Sequence, residues 1–397
     1  MNPPPLPDTT HRVETARFGP FVFQLGLDLD GLLMPLQRVD DAHARFVASP
    51  LVQVANQLER EVIVSSVFGT NTIEGGTLTE DETASALTLD PDRVREVEQR
   101  RALNIKAAYE FAQQAAGQPG WRLDEAFIVR LHALMTRDVP HPDNRPGMIR
   151  ANPKERVTLV GDEAHGGRYK PPQFDGDIRK LLAALVTWHD ALIDAGVPAL
   201  LRAPLVHLYY ELVHPFWDGN GRVGRVIEAS LLLAAGYRYA PFALARYYLG
   251  EIDRYFTLFN ICRKAGEKSQ PSPNQPFVAF HLEGMRQTID RLHARVDRLV
   301  VMLLYESQLR RAYDEKTLNA RQYAIALQVL GSGRPVSLAE MRRAPWYVSL
   351  YLKLNDKTRQ RDLVKLRSLE LLHLDEANCL WPGFAKPSGN KQPGREA

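Results

Sequence analysis

One twelve-residue stretch gathers more chemistry than any other part of the 397-residue chain: His214-Pro215-Phe216-Trp217-Asp218-Gly219-Asn220-Gly221-Arg222-Val223-Gly224-Arg225. Gly219, Gly221 and Gly224 let the backbone approach a ligand closely and turn N–H groups into one concavity. Residues 226–235, which follow, are apolar and rich in helix formers, so the positive end of a helix dipole adds to that concavity and predicts an anion cradle. Arg222 and Arg225, about one helical turn apart, offer two guanidinium forks to the same side, an arrangement suited to a polyphosphate. Asp218 is a hard oxygen donor where Mg²⁺ bridging two phosphates would sit. Histidine titrates near neutrality, so His214 is a base able to take a proton from a hydroxyl. The pieces are ordinary singly: His141-Pro142-Asp143-Asn144 has the same His-Pro start without the glycines or the paired arginines.

The elements expected to hold this stretch are helical. Phe46, Leu51, Val54, Leu58, Val62 and Val67 recur near helical spacing, interrupted at Ser49-Pro50, which predicts one or two helices over 39–67. Further helices are expected over 90–115, 123–139, 174–195, 199–213 and 250–263. Residues 1–40, rich in Pro and Asp, read as a loosely attached lead-in. Between 144 and 172, the alternation Arg156-Val157-Thr158-Leu159-Val160 and the turn signals Gly161-Asp162 and Gly166-Gly167 predict a short β-hairpin, with no other sustained strand pattern before residue 330. A polar, Pro-rich linker over 267–276 leads to a long amphipathic helix over 277–313. Its Leu282, Met285, Ile289, Leu292, Val296, Leu299 and Leu303 step by three or four and mark a connector helix.

Charge is unevenly spread. Residues 316–397 hold fourteen Lys/Arg against seven Asp/Glu, a net +7 in a chain whose total is +3, so the rest is at −4. This basic tail reads as helices over 320–330, 337–343 and 356–369 followed by short strands over 371–374 and 379–381, the order of a winged helix. Lys357, Arg359, Arg361, Lys365 and Arg367 could face phosphates while Leu363, Leu366 and Leu369 pack inward. A DNA-binding regulator acting through this module is therefore the alternative from another class. At 45% apolar and 24% charged residues the composition is that of a folded, soluble protein. Cys262 and Cys379 alone build neither a disulfide framework nor a cysteine zinc site. The longest apolar run, Leu299 to Tyr305, is far below the roughly 18 residues of a membrane span, and the N-terminus lacks a signal-peptide pattern. A cytoplasmic location without membrane contact is expected.

The twelve residues match throughout the motif of the Fic family, His-Pro-Phe-x-Asp-Gly-Asn-Gly-Arg-x-x-Arg. Gly147-Met148-Ile149-Arg150 resembles the family's segment ahead of its β-hairpin flap, Tyr169-Lys170-Pro171-Pro172 the segment closing it, and Arg246-Tyr247 with Tyr255-Phe256 the helix after the motif. The resemblance covers about residues 40–265. It implies a mostly α fold, with a helical core and one flap, here followed by a connector helix and a small winged-helix-like domain. The domains expected are a lead-in (1–40), an N-terminal helical region (41–120), the Fic core (121–265), a linker with the connector helix (266–315) and the basic module (316–397).

The reaction implied is transfer of AMP from ATP to a Ser, Thr or Tyr hydroxyl of a target protein docked on the flap, residues 156–169. By resemblance, His214 is the general base and Asp218 binds Mg²⁺. Asn220, Gly221 and Arg222 hold the α- and β-phosphates, Arg225 holds the γ-phosphate, and Gly219, Val223 and Gly224 complete the nucleotide site. Upstream, Thr70-Asn71-Thr72-Ile73-Glu74-Gly75 resembles the family's inhibitory motif, which implies that Glu74 pairs with Arg225 and withdraws it from the γ-phosphate. Removal of AMP, with Glu74 orienting a water, and transfer of another phosphate-containing group are the alternatives at the same site. A homodimer is compatible with this reading.

Overall fold

The structure, a computed structural model, describes residues 9–152 and 156–385. They form two compact units, one from the chain up to Ala294 and the other from Arg295 onward together with Val52–Val54. The first unit opens with strands β1 (His11–Glu14) and β2 (Pro20–Phe23). The helices α1 (Asp30–Val47), α2 (Ala55–Ile73), α3 (Glu80–Ala86), α4 (Val97–Ala116) and α5 (Glu125–Met135) follow, then α6 (Asp175–Asp194), α7 (Ala199–Val213), α8 (Asn220–Ala234), α9 (Ala240–Gly250) and α10 (Ile252–Glu267). Helix α11 (Gln275–Asp314) carries the chain across the division between the units.

The centre of the first unit is the pair α7 and α8. Most residues of both are buried, including Leu205, Val206, Leu208, Tyr210, Val226 and Ile227, and in α8 this extends to the polar Arg222, Arg225 and Glu228. Around them α8 packs on α4, α5 and α9, while α2 lies along α9 and α4. Helix ends follow local chemistry: Asp124 accepts from Phe127 N at 2.7 Å to start α5, and Thr79 with Glu82 forms a capping box on α3. Helix α4 begins at Val97, later than residue 90, because a single 3₁₀ turn at Pro91–Arg93 and extended backbone occupy the intervening residues.

Two expectations change here. Residues 9–40 are not a loose lead-in: β1 and β2 pair antiparallel, from His11 opposite Phe23 to Glu14 opposite Pro20, and α1 begins at Asp30. Phe23 is fully buried against Trp188 and Tyr209, with ring centroids 5.7 and 5.2 Å away, and Trp188 Nε1 donates to the Thr9 carbonyl. The carboxylate of Asp177, in the first turn of α6, accepts from Ala16, Arg17 and Phe18 N at 2.8–2.9 Å. Strands of four residues are too short to leave a period in the sequence, so this docking was invisible there. Second, the β-hairpin over 156–169 is reduced, among the described residues, to one antiparallel bridge. Val160 N donates to Tyr169 O at 2.8 Å and Tyr169 N to Val160 O at 2.7 Å, with Gly161, Gly166 and Gly167 at positive φ between them.

The second unit contains α12 (Ala320–Gly331), β3 (Val336–Ser337), α13 (Leu338–Arg343), α14 (Pro345–Leu350), α15 (Asp356–Ser368), β4 (Leu372–Leu374) and β5 (Cys379–Pro382). The strands make an antiparallel sheet in the order β3-β5-β4, one strand and one helix more than the sequence pattern suggested. Its core gathers Tyr305, Ile325, Val329, Tyr347, Tyr351, Leu366 and Leu380. Buried Asp362 is satisfied by Gln322 Nε2 and Tyr351 Oη, both at 2.8 Å, and by Arg321 Nε at 3.0 Å. Among the described residues no helix is long and apolar enough to cross a membrane.

Candidate active site

The turn between α7 and α8 carries the motif. It is bounded by two left-handed residues: His214 (φ 48°), which ends α7, and Gly219 (φ 81°), which precedes α8. Gly219 is required, since a side chain there would be strained and its Cβ would stand 3.2 Å from Thr136 Cγ2. No side chain caps α8, and the first helical bond inside it is Val223 N to Gly219 O at 3.0 Å. The N–H groups of Asn220, Gly221 and Arg222 thus open the helix without an intrahelical partner, at the positive end of its dipole. The side chain of Asn220 is already committed: its Oδ1 accepts from Phe216 N at 2.9 Å and its Nδ2 donates to Phe216 O at 2.8 Å, clamping the turn. Asn220 can therefore meet an anion only through its backbone. Val223 spends its N–H on Gly219 and Gly224 lies deeper in α8, so neither presents a free group to the cradle.

Arg222 is 1% exposed, and of its guanidinium only Nη2 is paired, to Asp218 Oδ2 at 2.9 Å. Its Nε and Nη1 are buried with no partner among the described residues. Such orphaned charged donors are costly unless something anionic completes them. Burial pushes the Asp218 carboxyl up, but the charge and hydrogen bond of Arg222 outweigh it and hold Asp218 below the usual carboxylate range.

Arg225 is fully engaged. Its Nε donates to Thr70 Oγ1 at 2.6 Å, Nη1 to Tyr255 Oη at 3.2 Å, and Nη2 to Thr70 O at 3.2 Å and Glu74 Oε1 at 2.7 Å. Glu74, just past the end of α2, lies directly over the first turn of α8, where a Cβ on residue 221 would collide with its Oε1. Burial raises its pKa, but Arg225 and Arg222 more than reverse this, so the carboxylate is charged and stands where an anion would.

Two residues to which the sequence assigned no role in the site fix this turn from outside. His132, on α5, stacks on Phe216 at 3.7 Å and meets Asp218 O through Nε2 at 3.1 Å. Its Nδ1 accepts from Gly147 N at 2.9 Å, which sets the tautomer: the ring proton is on Nε2. Arg150 donates through Nε to His214 O at 2.7 Å and through Nη2 to Pro172 O, while its N–H bonds to Pro215 O, tying the turn to the base of the flap. Nothing in the sequence marks a lone His in a helix. Arg150 was legible only as part of the Gly147-Met148-Ile149-Arg150 segment.

The turn, the flap and α10 enclose a cavity of about 300 Å³, with Glu74, Gly221 and Arg225 on one side and Phe256, Phe259 and Asn260 on another. Helix α10 holds the flap tip: Asn260 Nδ2 donates to His165 O at 3.0 Å and Gly167 O at 2.8 Å, and Lys264 Nζ to Gly166 O at 2.6 Å.

The family model for the Fic/DOC family matches residues 122–232, which span α5 to α8 and the whole of this turn. This chain carries a Fic domain. Curated relatives are distant. The protein adenylyltransferase Fic of Drosophila ananassae is 23% identical over 232 residues, 58% of this chain and 42% of that protein. The protein adenylyltransferase fic-1 of Caenorhabditis briggsae is 24% identical over 208 residues, 51% of this chain and 38% of its own length. The chain thus spans about two fifths of the length of these relatives. Among solved structures, a Fic family protein from Desulfovibrio desulfuricans G20 superposes with a TM-score of 0.54 at 18% identity, covering 91% of this chain and 97% of that one. A Fic domain containing signaling protein from Bacteroides thetaiotaomicron gives 0.55 at 19%, covering 66% and 97%. The mostly helical fold is that of the Fic domain.

The His132 geometry carries a stability prediction. Burial, helped by the nearby charge of Arg222, lowers its pKa from 6.5 to about 4, and a second ring proton would face the Gly147 N–H. Between those values the folded state binds fewer protons than the unfolded, so stability rises with pH there and is lost as pH falls from 6.5 toward 4. The loss from this one group is about 3 kcal/mol. Melting curves across that window should show it, and His132→Gln, though less stable at neutral pH, should flatten the slope; an unchanged slope would remove His132 as its source.

Proposed function

We propose that this chain is a protein adenylyltransferase that moves AMP from ATP to a hydroxyl side chain of a target protein, and that Glu74 keeps it at rest. The observation that carries this reading is the buried, half-paired guanidinium of Arg222 beside three uncapped N–H groups, with a charged carboxylate seated over them. A polyphosphate meets those needs: Gly221 and the backbone of Asn220 receive oxygens at the helix start, Arg222 supplies Nε and Nη1, and Arg225, once released from Glu74, takes the terminal phosphate.

His214 stands at the mouth of the same cavity with 18% of its side chain exposed. It takes the proton of the target hydroxyl as that oxygen attacks the α-phosphorus; the bond to the bridging oxygen breaks and pyrophosphate leaves with the electron pair. Catalysis on this scheme is positioning and charge neutralisation. No group of three or more His, Cys, Asp or Glu suited to a metal occurs among the described residues. Asp218, paired to Arg222 through Oδ2 and with 34% of its side chain exposed, fits Mg²⁺ bound through one carboxylate plus substrate phosphates, which would neutralise the leaving group. The flap would present the target segment as an added strand.

The test is incubation of wild type and Glu74→Gly with each labelled nucleoside triphosphate, read by intact mass. Self-modification by AMP supports the reading, another group corrects the nucleotide, and no modification by either protein opposes it. Asp218→Ala is expected to lower the rate by at least about tenfold at millimolar Mg²⁺. A wild-type rate without added metal would exclude Asp218 as a ligand.

A further inference from the structure

We infer that Glu211 is the positioning residue for His214, and that Gly224 is present to admit it. Glu211 lies one turn before His214 on α7, with 12% of its side chain exposed. Its Oε2 stands 3.6 Å from His214 Nδ1, too far for a hydrogen bond and close enough that a small side-chain rotation makes one. His214 Nδ1 is a buried atom with no hydrogen-bond partner among the described residues, and so is Oε1, the other oxygen of the same Glu211 carboxylate. A carboxylate with an unsatisfied oxygen and a neighbouring ring nitrogen that can donate complete one another.

The second observation comes from the facing helix. Gly224 sits inside α8 at ordinary helical φ, where glycine costs about 1 kcal/mol relative to alanine and conformational freedom gains nothing. A Cβ there would stand 2.6 Å from Glu211 Oε1 and 2.9 Å from His207 Cδ2. The missing side chain is the space in which the Glu211 carboxylate rests against α8.

The consequence rests on the transfer chemistry proposed above. With Nδ1–H directed to Glu211, the ring presents the Nε2 lone pair to the cavity. When Nε2 takes the hydroxyl proton, the new positive charge lies beside a carboxylate while the P–O bond to pyrophosphate breaks. Other ionisable groups lining the cavity are Glu74, Asp162, His165, Tyr169, Arg225, Tyr255 and Arg263. All stay in place in the variants used to test Glu211.

Nitrogen-15 NMR of the histidines, with the His214 signal assigned by its loss in His214→Asn, reads the tautomer of the neutral ring without requiring activity. Wild type and Glu211→Gln, which keeps an acceptor, are expected to hold the proton on Nδ1. Glu211→Ala, and Gly224→Ala with Glu211 intact, are expected to move it to Nε2. In the transfer assay Glu211→Ala should lose roughly 10- to 100-fold in kcat with KM for ATP little changed, and Glu211→Gln should fall between it and wild type. An Nε2–H tautomer in wild type, or no change in Glu211→Ala, overturns the inference. The expected tautomers in a protein that modifies nothing would leave Glu211 as the orienting group and remove the proposed reaction instead.

Discussion

His214→Ala is expected to slow AMP transfer by about 10²- to 10⁴-fold while leaving the fold and nucleotide binding close to wild type. The structural part of His214 is played by its backbone: φ of 48° turns the chain out of α7, and its carbonyl receives Arg150 Nε. Its ring Nδ1 makes no hydrogen bond among the described residues. An alanine in the left-handed region costs about 1–2 kcal/mol. His214→Asn, which tolerates that backbone and still lacks a base, separates this cost from the chemistry. Both should bind ATP with wild-type affinity by calorimetry and show the same loss of rate in a single-turnover assay. Transfer at the wild-type rate by either variant would mean that another group takes the proton.

Glu74→Gly is expected to raise self-modification by one to two orders of magnitude. Glu74 contributes one of the four hydrogen bonds of Arg225, and the other three, to Thr70 Oγ1, Thr70 O and Tyr255 Oη, remain without it. The guanidinium therefore stays in place when the carboxylate goes, with Nη2 freed toward the cavity, and a charge-assisted pair of a few kcal/mol accounts for a change of that size. Arg225→Ala should depress activity. The double variant should resemble Arg225→Ala, because releasing a side chain that is no longer there gains little. Equal activation by Glu74→Gly with and without Arg225 would instead assign inhibition to the space Glu74 occupies over Gly221.

Much of this site is local, and local features were legible. Short-range sterics and hydrogen bonding set helix periods, left-handed turns and uncapped helix starts, so a cradle opening a helix after His214 follows from a dozen adjacent residues. The hairpin at residues 11–23 left no such mark. Its strands are four residues long, and their stability comes from burying Phe21 and Phe23 against α6 and α7 rather than from their own pattern. The flap was overread for a related reason. Alternating residue types allow a strand, but backbone pairing at 160 and 169 is set by the glycines between them and by Asn260 and Lys264 on α10.

The sequence by itself determined the reactive groups: an imidazole, a carboxylate, two guanidiniums and the glycines that let them approach one anion. Tertiary structure decided which of these are free to act. Asn220 proved to be a clamp, Arg222 the buried cation with donors to spare, and His132 and Arg150 the supports of the turn. The approach of Glu74 to Arg225 across 151 residues, implied in the sequence only by resemblance, takes its geometry from the packing of α2 beside α8 and α9. Periodicity fixes which face of a helix is buried. Which side chain it meets there depends on how helices distant in sequence lie against one another, and that is settled only when the whole core closes.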